Sequence, residues 1–394
     1  MRYLTADYIF PISQNPVKNG LLVLDDQGLV IDVPHDIQLL PADAKLESHR
    51  GIICPGFVNA HCHLELSFLK GLIPSGNGLA AFLKDLIPTR NAPESEINRA
   101  AIEADAEMVA NGIVVVADIS NSPDSISVKQ NSRIHYHTFV EVYDLKPEKA
   151  WEAFENGKVI WQSFIDAGLS ASIVPHAPYT VTAKLLKLIG DFAYIQDSVL
   201  SIHNQETEGE NEMFLSGSGN FLQELIQVSG AFDQWKATGF RSLPSVFVHL
   251  PNCNKMQFVH NTFSTAEDVR WAHLYNLFVW WCLCPKANLF IENRIPDISM
   301  LMNEVAKITI GTDSYASNTS LSILDELKII QQKYKTVSTN DLLKWASYNG
   351  AEFLGLQKQY GSIEKGKKPG INLIGNITTD DLLLTESSYV VPLI

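Results

Sequence analysis

Five short apolar runs of this chain end in residues that can bind a metal or move a proton. His61 and His63 close GFVNAHCH, His176 closes SIVPH, His203 closes VLSIH, His260 closes KMQFVH, and Asp313 follows AKITIGT. Such runs read as strands, and side chains two apart on a strand point to the same side. His-X-His at 61 and 63 therefore suits two ligands on one metal. A lone histidine is ordinarily a satisfied core or surface residue. Several of them, joined by a carboxylate at the ends of successive strands, predict a metal centre.

The stretch HNQE adds a carboxylate, Glu206, three residues after His203. A neutral imidazole beside a free carboxylate suits metal-assisted hydrolysis: the metal lowers the pKa of bound water to roughly 7 and the carboxylate shuttles protons. The plainer reading of Glu206 is a solvated loop carboxylate, because Glu208, Glu210 and Glu212 follow at once.

These residues need a scaffold that brings strand ends together. Eight runs read as strands: IICPGFVNAHCH, GIVVVADI, YHTFVEVY, SASIVPH, SVLSIH, KMQFVH, FVWWCLCP and AKITIGTD. They are nearly continuous in apolar residues, as parallel strands covered on both faces are. Helix-like stretches separate them. Pro93 precedes one that ends at Gly112, and Ser264 with Glu267 predicts a capping box on another. The pattern predicts an α/β (β/α)8 barrel, a TIM barrel, over 53–355, whose strand carboxyl ends converge on one mouth. The alternative, a doubly wound open sheet, lacks a Gly-rich phosphate loop after its first strand. Residues 1–52 and 356–394 carry short alternating runs and predict one small β-sandwich domain of antiparallel strands built from both chain ends. The stretch 211–255 reads as an inserted excursion over one barrel end.

Composition narrows the partners. The 394 residues carry a net charge of −14, which argues against a nucleic-acid binder. No run approaches the roughly 20 apolar residues of a membrane span. The start MRYLTADYIF lacks the pattern of a signal peptide, and five cysteines make no disulfide scaffold. The expectation is a soluble cytoplasmic protein acting on a small molecule, without membrane or nucleic-acid partners.

Six ordered motifs, PGFVNAHCHLELS, VPHAPYT, IHNQETEGE, FVHNTFSTAED, CPKANLFI and GTDSYASN, resemble those of the amidohydrolase superfamily. The likeness is to its cytosine/guanine deaminase and chlorohydrolase-like branch, including aminofutalosine and adenosylhomocysteine deaminases. It spans nearly the whole chain. The resemblance implies that His61, His63, His203 and Asp313 ligate one divalent metal ion, Zn²⁺ or Fe²⁺. It gives Asp313 the proton of the attacking water, and Glu206 the protonation of a ring nitrogen and of the departing ammonia. His260 would orient the attacking oxygen or the tetrahedral intermediate, while Glu65 and His176 would contact substrate. The lysine of two-metal members has no counterpart in VPHAPYT, so a single metal is expected.

The match has departures. Pro369 and Gly370 precede Ile371 and Asn372 where the family usually has Ala-Asp, a change that bears on packing. Asn261 follows His260 where Cys or Gly is usual, and the gap from His203 is long. His249 therefore rivals His260, which is preferred for the helix start that follows it. Cys62 should point away from the metal, and Cys282, Cys284, Trp280 and Trp281 read as core. His135 and His137 read as core or support, and His35, His49 and His273 as surface.

The resemblance implies a metal-dependent aminohydrolase of an aminated heterocycle or nucleoside, most specifically an aminofutalosine-type deaminase, and a homodimer. The alternatives are a cyclic amide hydrolase or chlorohydrolase on the same site, and, from another class, a metal-free binding or scaffold protein of the same fold.

Overall fold

The computed structural model describes residues 1–33, 40, 44–229, 232, 235–378 and 381–394. His35 lies outside them. Seven short strands open the chain: β1 (Arg2–Thr5), β2 (Tyr8–Ile9), β3 (Val17–Lys18), β4 (Leu21–Leu24), β5 (Val30–Asp32), β6 (Leu46–Ser48) and β7 (Ile52–Pro55). Eight central strands follow: β8 (Phe57–Cys62), β9 (Ile113–Ser120), β10 (His135–Val142), β11 (Ser170–Pro175), β12 (Leu200–Asn204), β13 (Met256–His260), β14 (Val279–Leu283) and β15 (Lys307–Ile310). Two more, β16 (Ile371–Ile377) and β17 (Leu384–Pro392), close the chain.

The central strands form two four-stranded parallel sheets, β8-β9-β10-β11 and β12-β13-β14-β15. Helices fill the connections, among them Glu94–Ala110, Ala150–Asp166, Ala183–Gln196, Ala266–Tyr275 and Ile323–Lys333. The sheets meet at both edges. At one, the His203 N–H donates to the His176 carbonyl at 2.9 Å. At the other, the Thr312 and Asp313 N–H groups donate to the His61 carbonyl at 3.0 and 3.1 Å, and Asn59 Nδ2 donates to Thr312 Oγ1 at 2.8 Å.

Trp280, Trp281, Phe139 and Phe258 pack between strands and helices with essentially no exposure. Full burial of a large apolar side chain stabilises by roughly 1.5–3 kcal/mol. Cys282 and Cys284 are buried with Ala60, Val259 and Ala287.

The expected first strand is two. IICP belongs to β7 and FVNAHC to β8, with the break at Gly56, where a Cβ would lie 2.6 Å from Val114 Cγ1 and 2.8 Å from the Pro369 carbonyl oxygen. β7 joins the five-stranded sheet β17-β16-β7-β2-β3, and the first strands make a second sheet, β5-β4-β1-β6. Leu4, Leu22, Ile53, Ile363, Ile371 and Leu373, drawn from both chain ends, share one apolar cluster. The strands here are not all antiparallel as expected. β1 pairs with β6 and β2 with β7 in parallel, because long intervening segments, not hairpins, connect them. The Pro369–Asn372 departure is a docking point: Asn372 Nδ2 donates to the Gly112 carbonyl and the Gly56 N–H donates to the Gly370 carbonyl.

The helix after Pro93 runs as expected, ending before Gly112, which sits at φ +72°. The capping box is one residue later than expected. Thr265 Oγ1 accepts from the Asp268 N–H, and Asp268 Oδ2 accepts from the Thr265 N–H. Asp268 wins because Arg241 Nε also donates to it, at 2.8 Å, while the Ser264 hydroxyl is spent on Gln205. His49 and His273 are half-buried rather than on the surface. The buried Trp281 indole explains the second, donating its N–H to His273 Nε2 at 3.3 Å.

Candidate metal centre at the strand ends

Strand pairing carries four potential ligands to one point. His61 lies on β8 and His63 directly after it, His203 lies on β12, and Asp313 follows β15. His61 Nε2 and His63 Nε2 are 3.1 Å apart, and His203 Nε2 is 3.4 Å from His63 Nε2. Asp313 Oδ1 lies 3.5 Å from His61 Nε2 and 3.4 Å from His63 Nε2. Each of the four residues is more than nine-tenths buried. Three imidazole nitrogens and a carboxylate oxygen converging in a dry site cannot all satisfy one another by hydrogen bonds. One divalent cation would satisfy all four, and imidazole and carboxylate are ligands that suit zinc. The donor set fits a metal.

The supporting bonds orient the donors. His203 Nδ1–H donates to the His176 carbonyl at 2.8 Å, which leaves the Nε2 lone pair facing the cluster. Ser317 Oγ donates to Asp313 Oδ2 at 2.5 Å, leaving Oδ1 to face the imidazoles. Gly311 lets β15 approach β8: a Cβ there would lie 2.7 Å from His61 Cβ. Burial, then the neighbouring His61, lowers the His63 pKa to about 4, and burial lowers that of His203 well below its usual value. Both are neutral and able to ligate near pH 7. Burial alone would raise the Asp313 pKa. The hydrogen bond from His61, with lesser pulls from the adjacent His63 and His260 rings, outweighs it and holds the carboxyl well below its usual range.

Beside the cluster, Glu206 Oε1 lies 3.5 Å from His260 Nε2. Burial, reinforced by the charge of Asp313, pushes the Glu206 pKa well above the usual carboxylate range. His260 ends β13 at φ +72°, and its Nδ1 lies 3.2 Å from Asn288 Nδ2. With that amide donating, the imidazole proton sits on Nε2 and faces Glu206. His249 is exposed and lines a cavity of about 600 Å³ with Tyr179, Phe214 and Trp235, so the cluster takes His260. The excursion forms helices Glu208–Ser216, Asn220–Ser229 and Ser242–Phe247, and supplies part of that cavity wall.

His176 is half-buried, its ring centroid 4.9 Å from that of His203. Glu65 lies on the turn after His63. It accepts from the Asn121 N–H at 2.9 Å and faces Arg90 Nη2 at 3.6 Å. Burial raises its pKa to about 7, against the pull of those two partners. Sequence reasoning missed Glu141, whose Oε1 lies 3.4 Å from His203 Nδ1, along with Ser317 and Asn288. For Glu141 a signal existed: a carboxylate interrupts the apolar run FVEV, and a buried charge needs a partner.

Comparisons with known proteins agree with this geometry. The chain is 26% identical over 389 residues to a 5-methylthioadenosine/S-adenosylhomocysteine deaminase of Bacillus cytotoxicus, covering 93% of this chain and 83% of that protein. Its fold is similar to that of Helicobacter pylori aminofutalosine deaminase solved with methylthio-coformycin, at a TM-score of 0.81 and 20% identity over 98% of this chain and 94% of that one. It is also similar to atrazine chlorohydrolase from Arthrobacter aurescens solved with zinc, at a TM-score of 0.74 and 16% identity over 98% and 90%. These likenesses give the two parallel sheets a common identity as a TIM-barrel fold with α/β content. The model of the amidohydrolase family matches residues 52–388, and the chain belongs to that family.

Proposed function

We propose that this chain is a metal-dependent aminohydrolase that deaminates an aminated heterocycle or nucleoside, with an aminofutalosine-type nucleoside as its leading substrate. What carries the reading is the placement of two carboxyl groups at one site: Asp313 Oδ1 lies 3.4–3.5 Å from two imidazole nitrogens with its pKa drawn down, and Glu206 Oε1 lies 3.5 Å from His260 Nε2 with its pKa pushed up. Two titratable groups pushed in opposite directions supply a base and an acid at the same pH. The deaminase names of the relatives add the substrate class.

In this reading His61, His63, His203 and Asp313 hold one divalent ion, Zn²⁺ or Fe²⁺. When bound, that ion lowers the pKa of a coordinated water toward 7. Asp313 accepts a proton from the attacking water, and Glu206 protonates the ring nitrogen beside the reacting carbon. Of the two water protons, one returns to Glu206 in place of the proton it gave the ring nitrogen, and the other leaves with ammonia. The Nε2–H of His260 orients the oxygen as it adds. Glu65 accepts a hydrogen bond from a substrate hydroxyl and His176 faces the ring. A β-sandwich made by residues 1–52 and 356–394, a barrel over 53–355, and a cytoplasmic homodimer complete the proposal. Among the described residues no helix is long and apolar enough to cross a membrane.

The test is ammonia release over aminated purines, pyrimidines and their nucleosides, with Glu206→Gln beside the parent. We expect the variant to retain its metal and to lose on the order of 10²–10⁴ in kcat. Full turnover by that variant removes the acid role. Release of halide or of a ring-opened acid in place of ammonia moves the same site to carbon–halogen or cyclic amide hydrolysis. A chain that takes up neither Zn²⁺ nor Fe²⁺ is a binding protein of this fold.

A further inference from the structure

Asp118 and Lys129 form an ion pair at 2.6 Å with neither side chain exposed. Lys129 comes from the helix Ile126–Asn131 and reaches between β9 and β10. Its ammonium also donates to Ser120 Oγ at 3.1 Å and Thr138 Oγ1 at 2.9 Å, so its three donors are used. The Phe164 ring covers it at 4.6 Å. Burying two charges costs desolvation that their attraction repays only in good geometry, and an apolar pair often serves stability as well. Stability alone is therefore a poor account of this pair.

Its second contact supplies another. Asp118 Oδ1 accepts from the Leu64 N–H at 2.7 Å, and Leu64 is the residue after His63. Three residues along the same strand end, the Asn121 N–H donates to Glu65. The turn carrying His63 and Glu65 is thus gripped at two points by the end of β9, and Lys129 fixes the gripping carboxylate against β10. We propose that Asp118 is a positioning residue, which holds His63 at the metal through the Leu64 amide, with Lys129 setting its orientation. This rests on His63 being a ligand.

The geometry makes the carboxylate specific. Asp118 faces three donors: the Leu64 N–H at Oδ1, and the Lys129 ammonium and the Ser120 hydroxyl at Oδ2. An asparagine has one oxygen, so in either amide orientation its NH₂ meets a donor. With methionine in place of Lys129 the conflict vanishes, because the Ser120 hydroxyl can turn toward Ser125 and accept from the amide, and asparagine can accept from Leu64 again.

The experiment measures Zn²⁺ affinity by chelator competition, and kcat/KM at saturating zinc, for the parent, D118N, D118N/K129M and D118A/K129M. Melting of the metal-free forms tracks the fold. We expect D118N to bind Zn²⁺ about 10–100-fold more weakly, as loss of a ligand-orienting contact does. D118N/K129M should regain most of that affinity although the ion pair is gone. D118A/K129M should not regain it, even where its melting temperature recovers. If D118N does not fold, the two double variants carry the comparison. Equal, parent-like affinity in the two double variants, or affinity that follows melting temperature across the set, overturns the proposal. If the parent itself binds no Zn²⁺, the metal reading fails together with it; H63A losing zinc while the Asp118 variants keep it defeats the positioning role alone.

Discussion

Two segments of this chain have the same spacing and opposite fates. His61-Cys62-His63 ends β8, and His135-Tyr136-His137 begins β10. At the first, imidazole nitrogens face one another at 3.1 Å and share a carboxylate oxygen. At the second, each ring nitrogen of His137 has its own hydroxyl, Ser170 Oγ at 2.8 Å and Ser172 Oγ at 2.9 Å. His135 lies half-buried with its ring centroid 5.9 Å from that of Tyr360. Spacing brings two imidazoles to one side of a strand in both cases. What differs is the strand end and whether the nitrogens already have partners: satisfied nitrogens support a fold, and nitrogens crowded together without enough protons call for a cation.

The largest effect should come from exchanging the two segments as targets. H61A or H63A should bring metal content to near zero and turnover to background. H135A and H137A should keep their metal. Metal analysis after desalting decides it, and equal loss in both segments breaks the comparison. Glycines near each segment offer a finer cut. In G311A the new Cβ would meet His61 Cβ at 2.7 Å and the His61 carbonyl oxygen at 2.9 Å, and backbone cannot yield cheaply. Overpacking of this kind costs roughly 1–3 kcal/mol, and it should weaken zinc binding as well. In G168A, two residues before the Ser170 that partners His137, a Cβ meets nothing within 4 Å. Only the left-handed backbone at φ +75° resists, so denaturant melts should report a loss of roughly 1–2 kcal/mol with zinc affinity intact.

A further effect is one of pH. Burial, then the charges of His135 and Lys129, lowers the His137 pKa to about 3 from a usual 6.5. Between those values the unfolded chain binds a proton that the folded chain refuses, so folding stability is lost as pH falls from 6.5 toward 3. The slope from this one group is at most about 1.4 kcal/mol per pH unit. Urea melts of metal-free H137Q between pH 3.5 and 7 should show a shallower acid limb than the parent. An unchanged limb removes His137 from the acid response.

Much of the arrangement was legible because polar residues interrupted apolar runs at their ends. Histidines closing VNAHCH, VLSIH and MQFVH, and the aspartate of ITIGTD, could be placed at strand termini from pattern alone. The break at Gly56 was not legible: it depends on Val114 and Pro369, which are remote in sequence. The cap at Thr265 rather than Ser264 depends on Arg241 for the same reason. Glu141, Asp118 and Lys129 sit within strands or on a helix, and their partners are set by tertiary packing that no local period encodes. Sequence pattern finds residues that converge and misses those that hold them.

The edge where β15 meets β8 has a consequence for how the molecule opens. Of the four proposed ligands, His61 lies in the first sheet and His63 directly follows it, while His203 lies in the second sheet and Asp313 follows it. A bound ion would therefore act as a rivet between two halves that few backbone bonds join, and its binding energy would be spent partly on keeping the halves shut. By mass action, free metal should then slow amide exchange at His203, Thr312 and Asp313 more than within either sheet. A catalytic ion in this position would also be the fastening of the scaffold that holds it.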